Sequence, residues 1–259
     1  MKIKDAISNT ERLDGIMQMI ENQKHVSVAM ICQEFKVSPA TARRDLEELE
    51  KRKSIQRVHG GAIMRRNSPP ENPVIQRMNL HTEEKRRIGL AASSLIRPGE
   101  SIFLGSGTTV LEVAKNIKKI QDLTVITNSL LIIEELIDCK DILLMDLGGI
   151  VRRSEYSMLG SLTEAAISGL CTDKMIIGIH GIDIEQGLTN HNIQETMTDR
   201  KLLEIGKKTI IVADHTKCKT ISTSYVAPIT VVDTLVTDME APQDFTSELE
   251  DRGIKVIRT

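Results

Sequence analysis

The chain has no tryptophan, two tyrosines and three phenylalanines in 259 residues. A core built without large rings must come from Ile, Leu, Val, Met and Ala. No apolar run approaches the roughly 20 residues that span a bilayer. The opening Met1–Thr10 mixes charge and polarity and lacks the apolar centre of a secretion signal, so a soluble cytoplasmic protein is expected. The four cysteines, Cys32, Cys139, Cys171 and Cys218, are scattered, with no Cys-x-x-Cys. That excludes a disulfide scaffold and reads as idle thiols in a reducing compartment. His180, His191, His215 and Cys218 match no zinc-ligand spacing, so neither a metal nor another cofactor is expected.

What the sequence does carry is unevenly distributed. The formal charge is −2 overall, but residues 1–66 hold 13 Lys+Arg against 9 Asp+Glu, a net of +4, and the remainder hold 21 against 27, a net of −6. A basic head on an acidic body suggests that the head meets a polyanion.

The head reads as three helices and a hairpin. Asn9 or Thr10 caps a helix that carries Leu13, Ile16, Met17 and Ile20 at helical spacing through Glu21. Ser27 caps a short second helix, and Lys36-Val37 makes a tight link. Ser38-Pro39 then starts a third helix, running to about Arg52, with a side-chain cap and a residue that needs no N–H at the first helical position. Ala42, Asp45, Leu46 and Leu49 face inward, leaving Ala40, Thr41, Arg43, Arg44 and Glu47 outward. Ser54–Val58 alternates as a strand and Gly60-Gly61 makes a turn. Two short helices followed by a third match helix-turn-helix geometry, in which outward residues early in the third helix reach base edges and phosphates. The expected DNA-contacting set is Ser38, Ala40, Thr41, Arg43 and Arg44 on that helix, and Arg57, His59 and Gly60 on the hairpin wing.

Residues 67–80 contain Pro69, Pro70 and Pro73 and read as a linker, dividing a head at 1–66 from a body at 81–259. In the body, short apolar runs at 101–104, 124–127, 142–145, 174–179, 209–213, 235–237 and 255–257 mostly alternate with helix-length amphipathic stretches. That pattern predicts an α/β domain with a mostly parallel sheet covered on both faces. Open parallel sheets bind ligands beyond the C-terminal ends of their strands. Several runs end in suitable residues: Gly105-Ser106-Gly107-Thr108-Thr109, Asn128-Ser129, Gly148-Gly149, His180 and Asp214 with Lys217. The first of these opens a helix but is neither a P-loop, since no Lys follows at the required spacing, nor a dinucleotide fingerprint, since the third Gly is missing. Backbone N–H groups and Lys217 suit a phosphate, and Asn and Asp suit hydroxyls.

The continuous stretch Val37-Ser38-Pro39-Ala40-Thr41-Ala42-Arg43-Arg44-Asp45-Leu46, with Arg57-Val58-His59-Gly60-Gly61-Ala62, resembles the signature of the DeoR family of bacterial regulators. The resemblance implies that Arg-Arg-Asp-Leu lies on a recognition helix and Arg-Val-His-Gly-Gly-Ala on a wing. It extends through the body in Gly107-Thr108-Thr109, Thr127-Asn128-Ser129, Gly148-Gly149, Glu195 with Arg200-Lys201, and Asp214-His215-Thr216-Lys217. Ala42 stands where the family usually has Ile, Lys53-Ser54 where it has Gly, and Gly105 where it has Asp. The implied body fold resembles sugar-phosphate isomerases. The implied function is a transcriptional repressor of a carbohydrate-use operon that binds double-stranded operator DNA as a homo-oligomer, dimer or tetramer, and is released by a phosphorylated sugar. An activator with the same logic is one alternative. A sugar-phosphate isomerase or deaminase using Asp214, Glu195 and Lys217 is the other, and no catalytic residue is expected.

Overall fold

The computed structural model describes residues 9–23, 25–51, 55–58, 61–64 and 73–259. The chain divides into two compact units, Met1–Asn67 and Ser68–Thr259.

In the first unit, α1 (Asn9–Gln23), α2 (Val28–Phe35) and α3 (Pro39–Lys51) surround a core of Leu13, Ile16, Ile20, Ile31, Ala42, Leu46 and Leu49. Two of the three expected caps form, while Asn9 and Thr10 lie within α1 itself rather than ahead of it. Ser27 Oγ accepts from the Met30 N–H at 3.2 Å and Ser38 Oγ from the Thr41 N–H at 3.2 Å. Lys36 turns the chain between α2 and α3 in the left-handed region at φ 53°. The hairpin pairs β2 (Ile55–Val58) with β3 (Gly61–Met64), in register Val58↔Gly61. Gly61 is therefore the first residue of a strand rather than part of the turn. The sequence reading missed β1 (His25–Ser27), which pairs with β3 to complete a three-stranded sheet in the order β1-β3-β2. Only a residue without a side chain fits at Gly61, because a Cβ there would stand 2.2 Å from the Val26 carbonyl oxygen.

The second unit is an α/β domain. Its seven-stranded sheet consists of β4 (Ser101–Leu104), β5 (Leu123–Thr127), β6 (Ile142–Asp146), β9 (Lys174–Ile177), β12 (Thr209–Val212), β14 (Thr234–Thr237) and β15 (Lys255–Arg258). These are the seven apolar runs of the sequence. They pair in parallel throughout, in the order β15-β14-β12-β9-β4-β5-β6. Successive residues alternate between two cores. Phe103, Met175, Ile211 and Leu235 enter one, and Ile102, Leu104, Ile176, Ile210, Val212 and Val236 the other. Each fully buried Leu, Ile or Phe contributes ~1.5–3 kcal/mol relative to an exposed one. From β4 the chain proceeds outward through β5 to β6, and from β9 outward through β12, β14 and β15. The order of winding reverses between the neighbours β4 and β9, which makes their C-terminal ends the place where a crevice opens.

Smaller elements escaped the sequence reading. Beyond α7 (Leu130–Leu136) and β6, a hairpin of β7 (Ile150–Arg152) and β8 (Ser157–Leu159) leads into α8 (Ser161–Ile167). An antiparallel sheet joins β10 (Gly181–Asp183), β11 (Gly187–Asn190) and β13 (Ser224–Ala227). The expected linker also needs correction. Residues 67–72 lie outside the described residues, but Val74–Arg77 forms a short helix, α4, built into the second unit. Val74 is fully buried, its N–H donates to the Ser154 carbonyl at 2.7 Å, and Arg77 pairs with buried Glu155. Among the described residues no helix is long and apolar enough to cross a membrane.

Candidate functional site

Two surfaces carry chemistry, one in each unit. On the first, burial of Ala42, Asp45, Leu46 and Leu49 turns the opposite face of α3 outward. Arg43 and Arg44 are exposed, as are Ser38 and Ala40, with Thr41 half-buried beside them. The Ser38 and Thr41 hydroxyls lie 3.0 Å apart, which sets both at the N-terminal end of α3. Asp45 anchors the helix from behind through two hydrogen bonds from Arg12, at 2.7 and 2.9 Å. Arg57, on β2, is exposed and reaches Glu47 on α3 at 3.2 Å. An exposed pair of this kind is weak and leaves the guanidinium available to a phosphate. His59 and Gly60 lie outside the described residues.

On the second unit a cleft of about 320 Å³ opens at the β4/β9 reversal. Its floor is the loop after β4. The Gly105 N–H donates to the Ile176 carbonyl at 3.0 Å, and a Cβ at Gly105 would crowd Ile177 Cγ2 at 2.9 Å. The residue that replaces the family's Asp is thus pressed against β9. Gly107, at φ 121°, then delivers the chain into α6 (Thr108–Ile117) with no side-chain cap. The first N–H groups of α6 have no intrahelical acceptor and carry the positive end of the helix dipole. Ser106, Thr108 and Thr109 line the same wall.

The ends of β9 and β12 supply the other walls. His180 donates its N–H to Asn190 Oδ1 at 3.2 Å, and Asn190 Nδ2 donates to Asp199 at 2.6 Å. Burial pushes the Asp199 carboxyl well above the ordinary carboxylate range, against the opposing effect of the Asn190 hydrogen bond. Glu195 is buried in the first turn of α9 (Ile193–Leu202), where Arg152 holds it at 2.5 Å. Asp214 caps the turn His215–Lys217. Burial would raise its pKa, but the Thr216 hydroxyl and amide and the charges of Lys217 and His81 outweigh it and hold Asp214 below the usual value. Lys217 is half-buried and makes no salt bridge among the described residues.

Of the expected effector set, Gly105, Ser106, Gly107, Thr108, Thr109, His180, Glu195, Asp214 and Lys217 come together in this cleft. Asn128, Ser129, Gly148 and Gly149 do not. Asn128 Nδ2 donates to the Met158 carbonyl at 3.0 Å and Ser129 bridges Ser157, which ties β8 to the main sheet. Gly148 and Gly149 sit beneath α8, where Thr163 Oγ1 donates to the Gly148 carbonyl at 2.7 Å. The physical reason is position: β5 and β6 lie one and two strands away from the reversal. His215 is bound to Asp238 at 3.0 Å, and burial pushes the Cys218 thiol up to about 12.

The cleft also contains residues that sequence reasoning missed. Arg77, Leu80, His81 and Lys85 come from α4 and the start of α5 (Thr82–Ser93). Lys85 Nζ donates to the carbonyls of Arg77 and Leu80, each at 2.6 Å. Burial lowers its pKa to about 8. The available signal was a lysine among the inward positions of an amphipathic helix, next to Ile88 and Ala92.

A family model described as the DeoR-like helix-turn-helix domain matches residues 12–67, and one described as the DeoR C terminal sensor domain matches residues 80–239. Among similar proteins, the HTH-type transcriptional repressor GlcR of Bacillus subtilis (strain 168) is 34% identical, over 96% of this chain and 96% of that one. The glycerol-3-phosphate regulon repressor of Escherichia coli (strain K12) is 32% identical, over 96% of this chain and 99% of that one. Ribose 5-phosphate isomerase from Plasmodium falciparum shares 19% identity over 52% of each chain, at a TM-score of 0.38. A likeness at that level carries no argument about activity.

Proposed function

The chain belongs to the DeoR family of transcriptional regulators and is a DNA-binding repressor, and from that premise we propose that it silences a carbohydrate-use operon until a phosphorylated sugar or polyol occupies the cleft of its second unit. The supporting observation is the convergence at the β4/β9 reversal. An uncapped helix N-terminus, the hydroxyls of Ser106, Thr108 and Thr109, and the ammonium of Lys217 line one wall system. The phosphoester sits against Gly107-Thr108 and Lys217, while Asp214, Glu195 and Asn190 receive hydroxyls. The site binds and releases its ligand without turning it over. Glu195 is committed to Arg152 and Asp214 to Thr216, so neither is poised as the positioned base that isomerisation needs.

On DNA, Arg43 and Arg44 read base edges or phosphates in the major groove, Ser38, Ala40 and Thr41 contact the adjacent strand, and Arg57 meets the backbone from the wing. Two or more copies act together, matching the repeated half-sites to which helix-turn-helix proteins bind. GlcR and the glycerol-3-phosphate regulon repressor are both named repressors, which favours repression, and the second name contains a small phosphorylated compound of the class proposed here.

A thermal-shift screen of the full chain with phosphorylated pentoses, hexoses, amino sugars and polyols tests the effector assignment. At least one compound should raise the melting temperature, and Lys217→Ala should abolish that rise. A shift that survives in Lys217→Ala would move the site elsewhere.

A further inference from the structure

One side of the cleft is made by the chain that has just left the DNA-binding unit. α4 begins at Val74, ten positions after Met64, the last described residue of that unit. Its N-terminal end is fastened to the second unit by the Val74 N–H on the Ser154 carbonyl, and its last residue, Arg77, pairs with Glu155. Its C-terminal end is held from outside by that Arg77 pair and from inside by the Lys85 side chain. The carbonyls of Arg77 and Leu80 both accept from the Lys85 ammonium at 2.6 Å. These oxygens belong to the last residue of α4 and to the turn after it, and His81 follows in the left-handed region at φ 51°. Lys85 therefore closes the corner between α4 and α5 from inside.

The same ammonium lines the cleft together with Arg77, Lys217 and the Gly107-Thr108 loop. Its present acceptors are neutral carbonyls. An ionised phosphate oxygen adds the attraction of a full opposite charge, which a neutral carbonyl lacks, so an anion in the cleft competes directly for the group that holds the corner.

We propose that Lys85 reports occupancy of the cleft to the segment leading back to the DNA-binding unit: a bound anion draws its ammonium off the carbonyls of Arg77 and Leu80, and the corner after α4 loses its inner clamp while Arg77 stays on Glu155. This rests on the effector reading above. A ligand shifts an equilibrium only through a contact that differs between the two states, and here that contact is Lys85 to anion against Lys85 to carbonyl. Lys85 is thus a positioning residue for the response as well as a binding one, which separates it from Lys217.

The experiment uses the full chain, a duplex selected by the protein from a random pool, and three probes: inorganic phosphate, glycerol 3-phosphate and glucose 6-phosphate. Thermal shift reads ligand binding, and fluorescence anisotropy reads DNA affinity with and without ligand. In the wild type the probe that binds should weaken DNA binding by roughly 5–150-fold. In Lys85→Met the affinity for the probe should be lower, but at a saturating concentration the probe should still raise the melting temperature through Lys217 and the α6 N-terminus, while DNA affinity changes by less than about twofold, below that coupling range. Release of Lys85→Met to the wild-type extent would overturn the proposal. Should Lys85→Met fail to fold, hydrogen exchange on the wild type decides. Protection of the Met78 and Leu80 amides, bonded to the carbonyls of Val74 and Arg77, should fall on ligand binding, and unchanged or increased protection would overturn it. If none of the probes shifts the wild type, the effector reading fails first and takes this inference with it.

Discussion

Arg12 on α1 and Asp45 on α3 form a two-pronged pair, Nε to Oδ2 at 2.7 Å and the terminal nitrogen to Oδ1 at 2.9 Å, with the Asp45 side chain only 5% exposed. The pair sits directly behind the face that carries Arg43 and Arg44. It fixes the rotation of α3 about its own axis, which the apolar contacts of Ala42, Leu46 and Leu49 leave less tightly defined. Removing Arg12 strands a buried carboxylate, at a cost of ~1–3 kcal/mol. Arg12→Ala should therefore accelerate hydrogen exchange in α1 and α3 and weaken DNA binding, while the ligand-induced thermal shift of the second unit is unchanged. Unaltered exchange in α3 would show that the apolar contacts alone hold it.

Arg43→Ala and Arg44→Ala remove groups on the outward face that make no contact with the core. Each should cost ~1–3 kcal/mol of DNA binding if it reads a base, or weaken all sequences evenly and lower the salt slope by about one if it meets a phosphate. Anisotropy titrations at several salt concentrations separate the two. Melting temperature should not change in either variant.

Much of this was legible in the residues, for identifiable reasons. Ser27, Ser38 and Pro39 announce helix starts through local backbone chemistry, so α2 and α3 begin where expected. The seven apolar runs became the seven strands because each is too short for a helix and the five inner ones are largely buried, while the edge strands β6 and β15 are partly exposed, Leu143 and Met145 among them. What the sequence could not convey was which strand neighbours which. Asn128-Ser129 and Gly148-Gly149 look like ligand loops, yet strand order puts them away from the β4/β9 reversal. Lys85 and Arg77 were hidden for the converse reason: α4 folds back into the cleft through Val74, a contact with Ser154 eighty positions further on. β1 is three residues long and exists only because β3 pairs with it.

Lys217→Ala and Thr108→Ala remove an anion partner without touching the DNA face. Both variants should bind DNA as the wild type does and stay bound when effector is added, with the affinity for effector falling at least tenfold, about 1.4 kcal/mol. Normal release of either variant would exclude that residue from the site.

Lys85 gives the response a pH signature. Its folded pKa of about 8 lies below the ordinary 10.5, so between these values the unfolded chain binds more protons than the folded one, and stability rises with pH across that window. Below about 8 the ammonium is charged in both states and the burial cost is fully present. Anion binding runs the opposite way and should weaken, in the wild type but not in Lys85→Met, as pH rises through about 8, because the neutral amine no longer adds its charge to that of Lys217 and the α6 N-terminus. Melting curves of wild type and Lys85→Met across the window should converge as pH rises and diverge as it falls. Parallel curves would contradict the assignment.

The central claim is that one chain couples a phosphoester cleft to an arginine-bearing helix. Its most direct test is the affinity of the full chain for its selected duplex, measured by anisotropy with and without a saturating amount of the sugar phosphate that raises its melting temperature. Affinity should drop roughly 5–150-fold on adding the ligand, with Arg43 and Arg44 intact. An affinity that stays the same while the cleft is demonstrably filled would contradict it.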